Sequence, residues 1–153
     1  MFSPSHITRY LALTVSRMLL VLACTTQAAD ARAMLEGPFP AQVTRVIDGD
    51  TIEVRVQIWL EQEIVVRVRL AGIDAPEMTA PCDAARAAAV QARDLVVREV
   101  EGARVLLTGV HGGKYFGRVI GRVLTPKGED LSTLLLNAGL AVPYFGGRRP
   151  PPC

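Results

Sequence analysis

The sequence predicts an α+β fold: a five-stranded β-barrel carrying helices. Three observations predict it. Residues Thr51–Leu60 and Ile64–Leu70 alternate apolar and polar side chains with a period of two, as adjacent strands with one buried face do. Residues Cys82–Val100 run without Gly or Pro and are rich in Ala, Val and Arg, which suits a helix. The chain has 153 residues, 50% apolar and 21% charged. That suits one globular domain and excludes wholesale disorder.

The elements follow in chain order. Residues 1–29 read as a secretory signal peptide cleaved after Ala29. Arg9 and Arg17 are unopposed by acids, Met18–Cys24 is apolar, and Ala28-Ala29 are small. The apolar run is far shorter than the ~20 residues of a membrane span, so the mature protein is expected free of the membrane, periplasmic or secreted. Cys24 as a lipidated residue is the alternative, and bulky Leu22 argues against it. Residues 30–38 are expected to be a loose leader closed by Gly37-Pro38, and residues 39–145 the folded domain. Ala41–Ile47 is the first strand, and Asp48-Gly49-Asp50 carries a turn pair. In the second strand Ile52, Val54, Val56 and Ile58 share one face; in the third, Ile64, Val66, Val68 and Leu70 do. Ala71–Ala80, with Gly72 and Pro76, is a loop. In the helix at Cys82–Val100, Ala85, Ala88, Ala92, Leu95 and Val96 mark the apolar stripe, with Asp94 and Arg98 paired on the wet side.

Arg104–Val110 and Arg118–Leu124 are the fourth and fifth strands, joined by a glycine-rich connection. Asp130 is placed to cap a short helix that Gly139 stops. Residues 146–153 form a Gly/Arg/Pro tail ending in Cys153. The order β-β-β-α-β-β-α fits a Greek-key barrel of the OB type. An SH3-like barrel or an open α+β sheet stays compatible with the periodicity.

Charge restricts the partner class. The whole chain sums to +2, but both leader arginines are lost with residues 1–29, which leaves zero. Bulk attraction to a polyanion is therefore not the basis of function. The charge is segregated instead: residues 30–101 carry −5 and residues 102–153 carry +5. Beyond the leader only Cys82, Cys153 and His111 remain of the Cys and His residues, too few for an ordinary zinc site. Two cysteines in an exported chain invite a Cys82–Cys153 disulfide, worth about 4 kcal/mol for a loop of that length.

Three short segments hold the chemistry. Taken singly, Asp48-Gly49-Asp50-Thr51 reads as a hairpin turn, Arg69 through Glu77 as a strand end with a proline turn, and Arg118 as a solvated strand start. Together they supply a hard-cation site. Asp50, Asp74 and the Ala75 carbonyl offer the oxygens that Ca²⁺ takes. Glu77 is left free to deprotonate a water, and Arg69 and Arg118 offer two planar forks to one phosphate. Phosphodiester hydrolysis needs this combination of groups.

The ordered set Val-Ile-Asp48-Gly-Asp50-Thr51, Arg69 through Asp74-Ala-Pro-Glu77, Lys114-Tyr115-Phe116-Gly117-Arg118 and Leu135 through Ala141 resembles the staphylococcal nuclease (thermonuclease-like) family over residues 41–145. The resemblance implies an OB barrel with helices and a Ca²⁺-dependent phosphodiesterase acting on DNA and RNA, leaving 3′-phosphates. It implies Asp50, Asp74 and the Ala75 carbonyl as Ca²⁺ ligands, Glu77 acting on the attacking water, and Arg69 and Arg118 on the phosphate. Asp48 and Thr51 are supports, and Lys114, Tyr115 and Tyr144 the expected substrate contacts. The chain departs from the family at Ala75, often Thr, and at Phe116, which lengthens or alters the segment before Arg118. In place of the family's terminal helix, the disulfide is expected to pin the tail across the first helix. A monomer is expected. The competing reading is a catalytically inactive OB module binding single-stranded nucleic acid. Sparse aromatics (Phe39, Trp59, Tyr115, Phe116, Tyr144, Phe145) count against it.

Overall fold

The computed structural model describes residues 33–149, 151 and 153. The expected signal segment and Cys24 lie outside the described residues. The elements are β1 (Met34–Leu35), β2 (Phe39–Val46), β3 (Thr51–Trp59), β4 (Gln62–Leu70), β5 (Ile73–Asp74), α1 (Asp83–Val100), β6 (Arg104–Gly112), β7 (Arg118–Leu124), α2 (Leu131–Asn137) and β8 (Val142–Pro143).

Five strands close on themselves. β2 pairs with β3, β3 with β4, β4 with β7, β7 with β6, and β6 returns to β2. All these pairs are antiparallel except β4–β7. This is the expected OB-type barrel with two helices. Period two decides what is inside: Ile52, Val54, Val68 and Leu70 are buried, with Val43, Val105, Leu107 and Val123 from the other strands. The alternation fails only at the β3–β4 hairpin tip, where Ile58 and Ile64 are exposed because the tip projects past the barrel.

Three local expectations are corrected. Residues 30–38 are not merely a loose leader: Met34 and Leu35 pair with His111 and Val110 of β6. Their side chains are exposed, so no periodic pattern betrays the strand. The buried line of α1 is Ala89, Ala92, Val96 and Val100, one step round from the expected stripe. Three consecutive alanines, 87–89, are equally apolar, so hydropathy does not fix the helix phase. Asp94 pairs with Arg93 at 2.9 Å, and Arg98 is not its partner.

The short helix forms as expected. The Asp130 carboxylate accepts from the Ser132 and Thr133 amides at the N-terminus of α2, and Arg122 holds it at 2.7 Å. Leu131 and Leu135 bury completely. Gly139, at φ 68°, ends the helix in the left-handed region that a residue with a Cβ resists.

Candidate active site

The site is built where the β2–β3 turn meets the end of β4 and the middle of α1. Gly49 makes that meeting possible. Its φ is not positive, so the Asp-Gly pair is not there for a left-handed turn. A Cβ at Gly49 would lie 2.6 Å from the Ala92 Cβ and 2.9 Å from the Ala75 Cβ. The helix packs directly on this turn, and only glycine leaves the room.

Asp48 and Asp50 divide the work of the turn. Asp48 Oδ1 accepts from the Asp50 amide at 3.0 Å, which fixes the backbone locally. Asp50 points inward and is 3% exposed. Its Oδ1 accepts from Arg69 Nη1 and from the Thr51 hydroxyl, and its Oδ2 from the Ala75 amide at 2.9 Å. Burial pushes the Asp50 carboxyl up to about 6, against the Ala75 amide, the Arg69 charge and the Thr51 hydroxyl, all of which lower it.

Asp74 is anchored from several sides. The Leu70 amide donates to the Asp50 carbonyl, the Ala71 amide to Gly121, and the Tyr144 amide to Gly72. Ser132 Oγ donates to the Ala71 carbonyl at 3.0 Å, and β5 pairs Asp74 with Val142 of β8. On this frame Asp74 Oδ1 accepts from Arg69 Nη2 at 2.5 Å. One guanidinium thus bridges Asp50 and Asp74, and both carboxylates converge on it. Glu77 follows across the rigid Pro76 and is half exposed, open to a water or a substrate.

The structure brings Asp50, Asp74, Arg69, Ala75 and Glu77 together. Ala75 enters the cluster through its amide. Arg118 is placed by register: it pairs with Arg67 in the parallel β4–β7 ladder, and Ile120 pairs with Arg69. Arg118 therefore sits two residues, about 7 Å, along the ladder from Arg69 and on the same face. Among the described residues it forms no ion pair with a carboxylate, and its Nε is buried without a hydrogen-bond partner. Its guanidinium lies 4.8 Å from the Tyr115 ring centroid, and Lys114 lies over the same ring at 5.7 Å. Lys114, Tyr115 and Arg118 thus form a basic cluster separate from the carboxylates. Phe116 is fully exposed.

One site residue escaped the sequence reading. Arg149 donates Nη1 to Glu77 Oε1 at 2.6 Å and sets Nη2 3.0 Å from Asp74 Oδ1. Partial burial opposes its charge, but the Glu77 hydrogen bond and the nearby carboxylates raise its pKa above the ordinary value. Its guanidinium lies 5.9 Å from the Tyr144 ring, and the Tyr144 hydroxyl donates to the Gly147 carbonyl. The expected Cys82–Cys153 disulfide is formed. It offered the missing signal: Cys82 stands five residues after Glu77, and Arg149 four before Cys153.

A family model described as staphylococcal nuclease homologue matches residues 67–151. The chain belongs to the staphylococcal nuclease homologue family. Two curated relatives agree, each named an uncharacterized endonuclease, from Escherichia coli and from Escherichia coli O157:H7. Each is 36% identical over 103 residues, 67% of this chain and 60% of the relative. The matched segment thus spans less than two thirds of their length.

The family implies a divalent metal, and the carboxylates are where it would bind. Among the described residues no three His, Cys, Asp or Glu side chains converge as a ready-made cage. Two carboxylates do converge, and the cluster collects two guanidiniums, Arg69 and Arg149. Carboxylate oxygens are the hard donors a divalent cation takes, and Arg69 and Arg149, which now neutralise them, would have to give it room. The donor set fits.

Proposed function

We propose that this chain is an exported, Ca²⁺-dependent nuclease that hydrolyses phosphodiester bonds of DNA or RNA. The observation that carries the reading is the Asp50–Arg69–Asp74 bridge with Glu77 beside it, held on a frame bonded to α2 and to strands β4, β5, β7 and β8. A nucleic-acid-binding module gains nothing from a buried, partly desolvated acid that would repel its ligand. A hydrolase does, because the groups its transition state needs must be in place before the substrate arrives.

Each residue has a task. Asp50 and Asp74 would hold Ca²⁺, with the Ala75 carbonyl as the third oxygen donor that the family resemblance implies. The bound ion would supply Lewis-acid stabilisation of charge on the phosphoryl oxygens. Glu77, the most accessible carboxylate of the set, takes the proton from the attacking water. Arg69 holds Asp50 and Asp74 in register and presents a charge to the phosphate. Arg118 meets the charge that develops on the phosphorus oxygens. Lys114, Tyr115 and Tyr144 contact the nucleotide chain. Export completes the reading, supported by the disulfide, which persists in oxidising compartments. Among the described residues no helix is long and apolar enough to cross a membrane.

The test is direct. Purified protein is incubated with DNA and with RNA in Ca²⁺, Mg²⁺ or chelator, and the product ends are identified. Cleavage in Ca²⁺ leaving 3′-phosphates, and none in chelator, is expected. Undiminished cleavage without a divalent ion refutes the mechanism.

A further inference from the structure

We propose that Arg149 is a third phosphate-binding arginine of this site, delivered by the disulfide-tied tail rather than by the barrel. The inference rests on the nuclease reading and deepens it. The arginines of the site differ in access. Arg69 is 12% exposed at its side chain and has both Nη atoms committed to carboxylates. Arg149 is 43% exposed, lies against the same Asp74, and also reaches Glu77. A phosphate coming from solvent toward Glu77 meets Arg149 first.

The contacts that hold Arg149 now are of the kind a phosphate replaces. Glu77 is half exposed, and ion pairs in contact with water are weak; the Asp74 partner is 12% exposed, but its Oδ1 is already shared with Arg69. Such a pair is a poor plug but a good parking position. It keeps the fork beside Glu77 and aligned until a phosphodiester offers a bidentate partner, and exchange then frees Glu77 to act as a base. The Tyr144 ring lies against the same guanidinium and limits its swing.

The tail itself has no core. Residues 145–149 are exposed apart from this site contact. The Cys82–Cys153 bond ties it to the N-terminal end of α1, a few residues beyond Glu77. Arg149 and Pro151 form one wall of a cleft of about 460 Å³ whose other walls include Asp74, Glu77 and Leu140. The disulfide therefore sets the local concentration of the arginine at the site.

The experiment measures binding of a short fluorescent single-stranded DNA in chelator, and kcat and KM in Ca²⁺, for wild type, Arg149→Ala, Arg149→Lys and Cys153→Ser. Arg149→Ala is expected to weaken binding about tenfold and to shrink the slope of log affinity against log salt by about 0.7, the loss of one phosphate contact. The activity loss falls mainly on KM. Arg149→Lys keeps the slope. Cys153→Ser reproduces Arg149→Ala, as does wild type reduced with dithiothreitol, and the reductant adds nothing to Cys153→Ser. Arg149→Ala that binds like wild type, or cleaves faster because a plug has been removed, overturns the inference while leaving a cleaving wild type as a nuclease. A wild type that neither binds nor cleaves overturns both readings.

Discussion

The carboxylate cluster and the segment from Gly112 to Arg118 lie on neighbouring parts of the barrel rim, yet they are built in opposite ways. Asp50 accepts three hydrogen bonds, Asp74 is fixed through β5 and β8, and the chain between them is bonded to β7, α2 and the turn itself. The basic segment has Lys114, Tyr115 and Phe116 exposed. Its Arg118 Nε is buried with no partner. The first region is bonded on every side by the protein itself, whereas the second holds a buried donor without a partner among the described residues. Preorganisation belongs where charge must be met without delay, and adaptability where a variable polymer must be gripped.

Four substitutions break or sharpen that contrast, from the largest effect to the smallest. Glu77→Gln should lower kcat by about 10²–10⁴-fold with DNA affinity little changed, since it removes a general base and no packing; single-turnover kinetics beside binding titrations check this. Arg118→Ala should cost about 10²–10³-fold in kcat. Wild-type kinetics in that variant would mean that the fifth-strand arginine never reaches the phosphate.

Asp50→Asn tests the rigid region through pH. The Asp50 pKa is raised on folding from 3.8 to about 6, so the folded state holds its proton longer than the unfolded chain. Its contribution is fully present below the unfolded pKa of 3.8 and is lost as pH rises from there through about 6. Metal-free wild type should thus lose roughly 2 kcal/mol relative to Asp50→Asn between pH 4 and 7. Urea midpoints across that range measure it, and a constant difference would contradict the burial of the acid. Gly49→Ala should destabilise by about 1–3 kcal/mol through the clash with Ala92 and Ala75, with a lowered Tm as the readout.

The sequence made the rigid region legible and much of the rest obscure. Strand pairs show because one buried face imposes period two, as at Ile52–Val54 and Val68–Leu70. Asp50, Arg69, Asp74 and Glu77 show because function crowds their types into two short segments. The use of Gly49 did not show, since a turn and a helix contact ask for the same residue. Arg149 did not show because its place depends on a covalent link across 71 residues of sequence and on no periodic pattern. The phase of α1 was hidden by alanines that look alike to hydropathy.

The central claim is that the braced carboxylates hold a cation on which hydrolysis depends. The most direct measurement is the single-turnover rate of DNA cleavage as a function of Ca²⁺ concentration, for wild type and for Asp74→Asn. A saturable Ca²⁺ requirement in wild type, shifted to much higher concentration in the variant, is the predicted result. Cleavage that persists in chelator, or a variant that follows the wild-type Ca²⁺ curve, contradicts it.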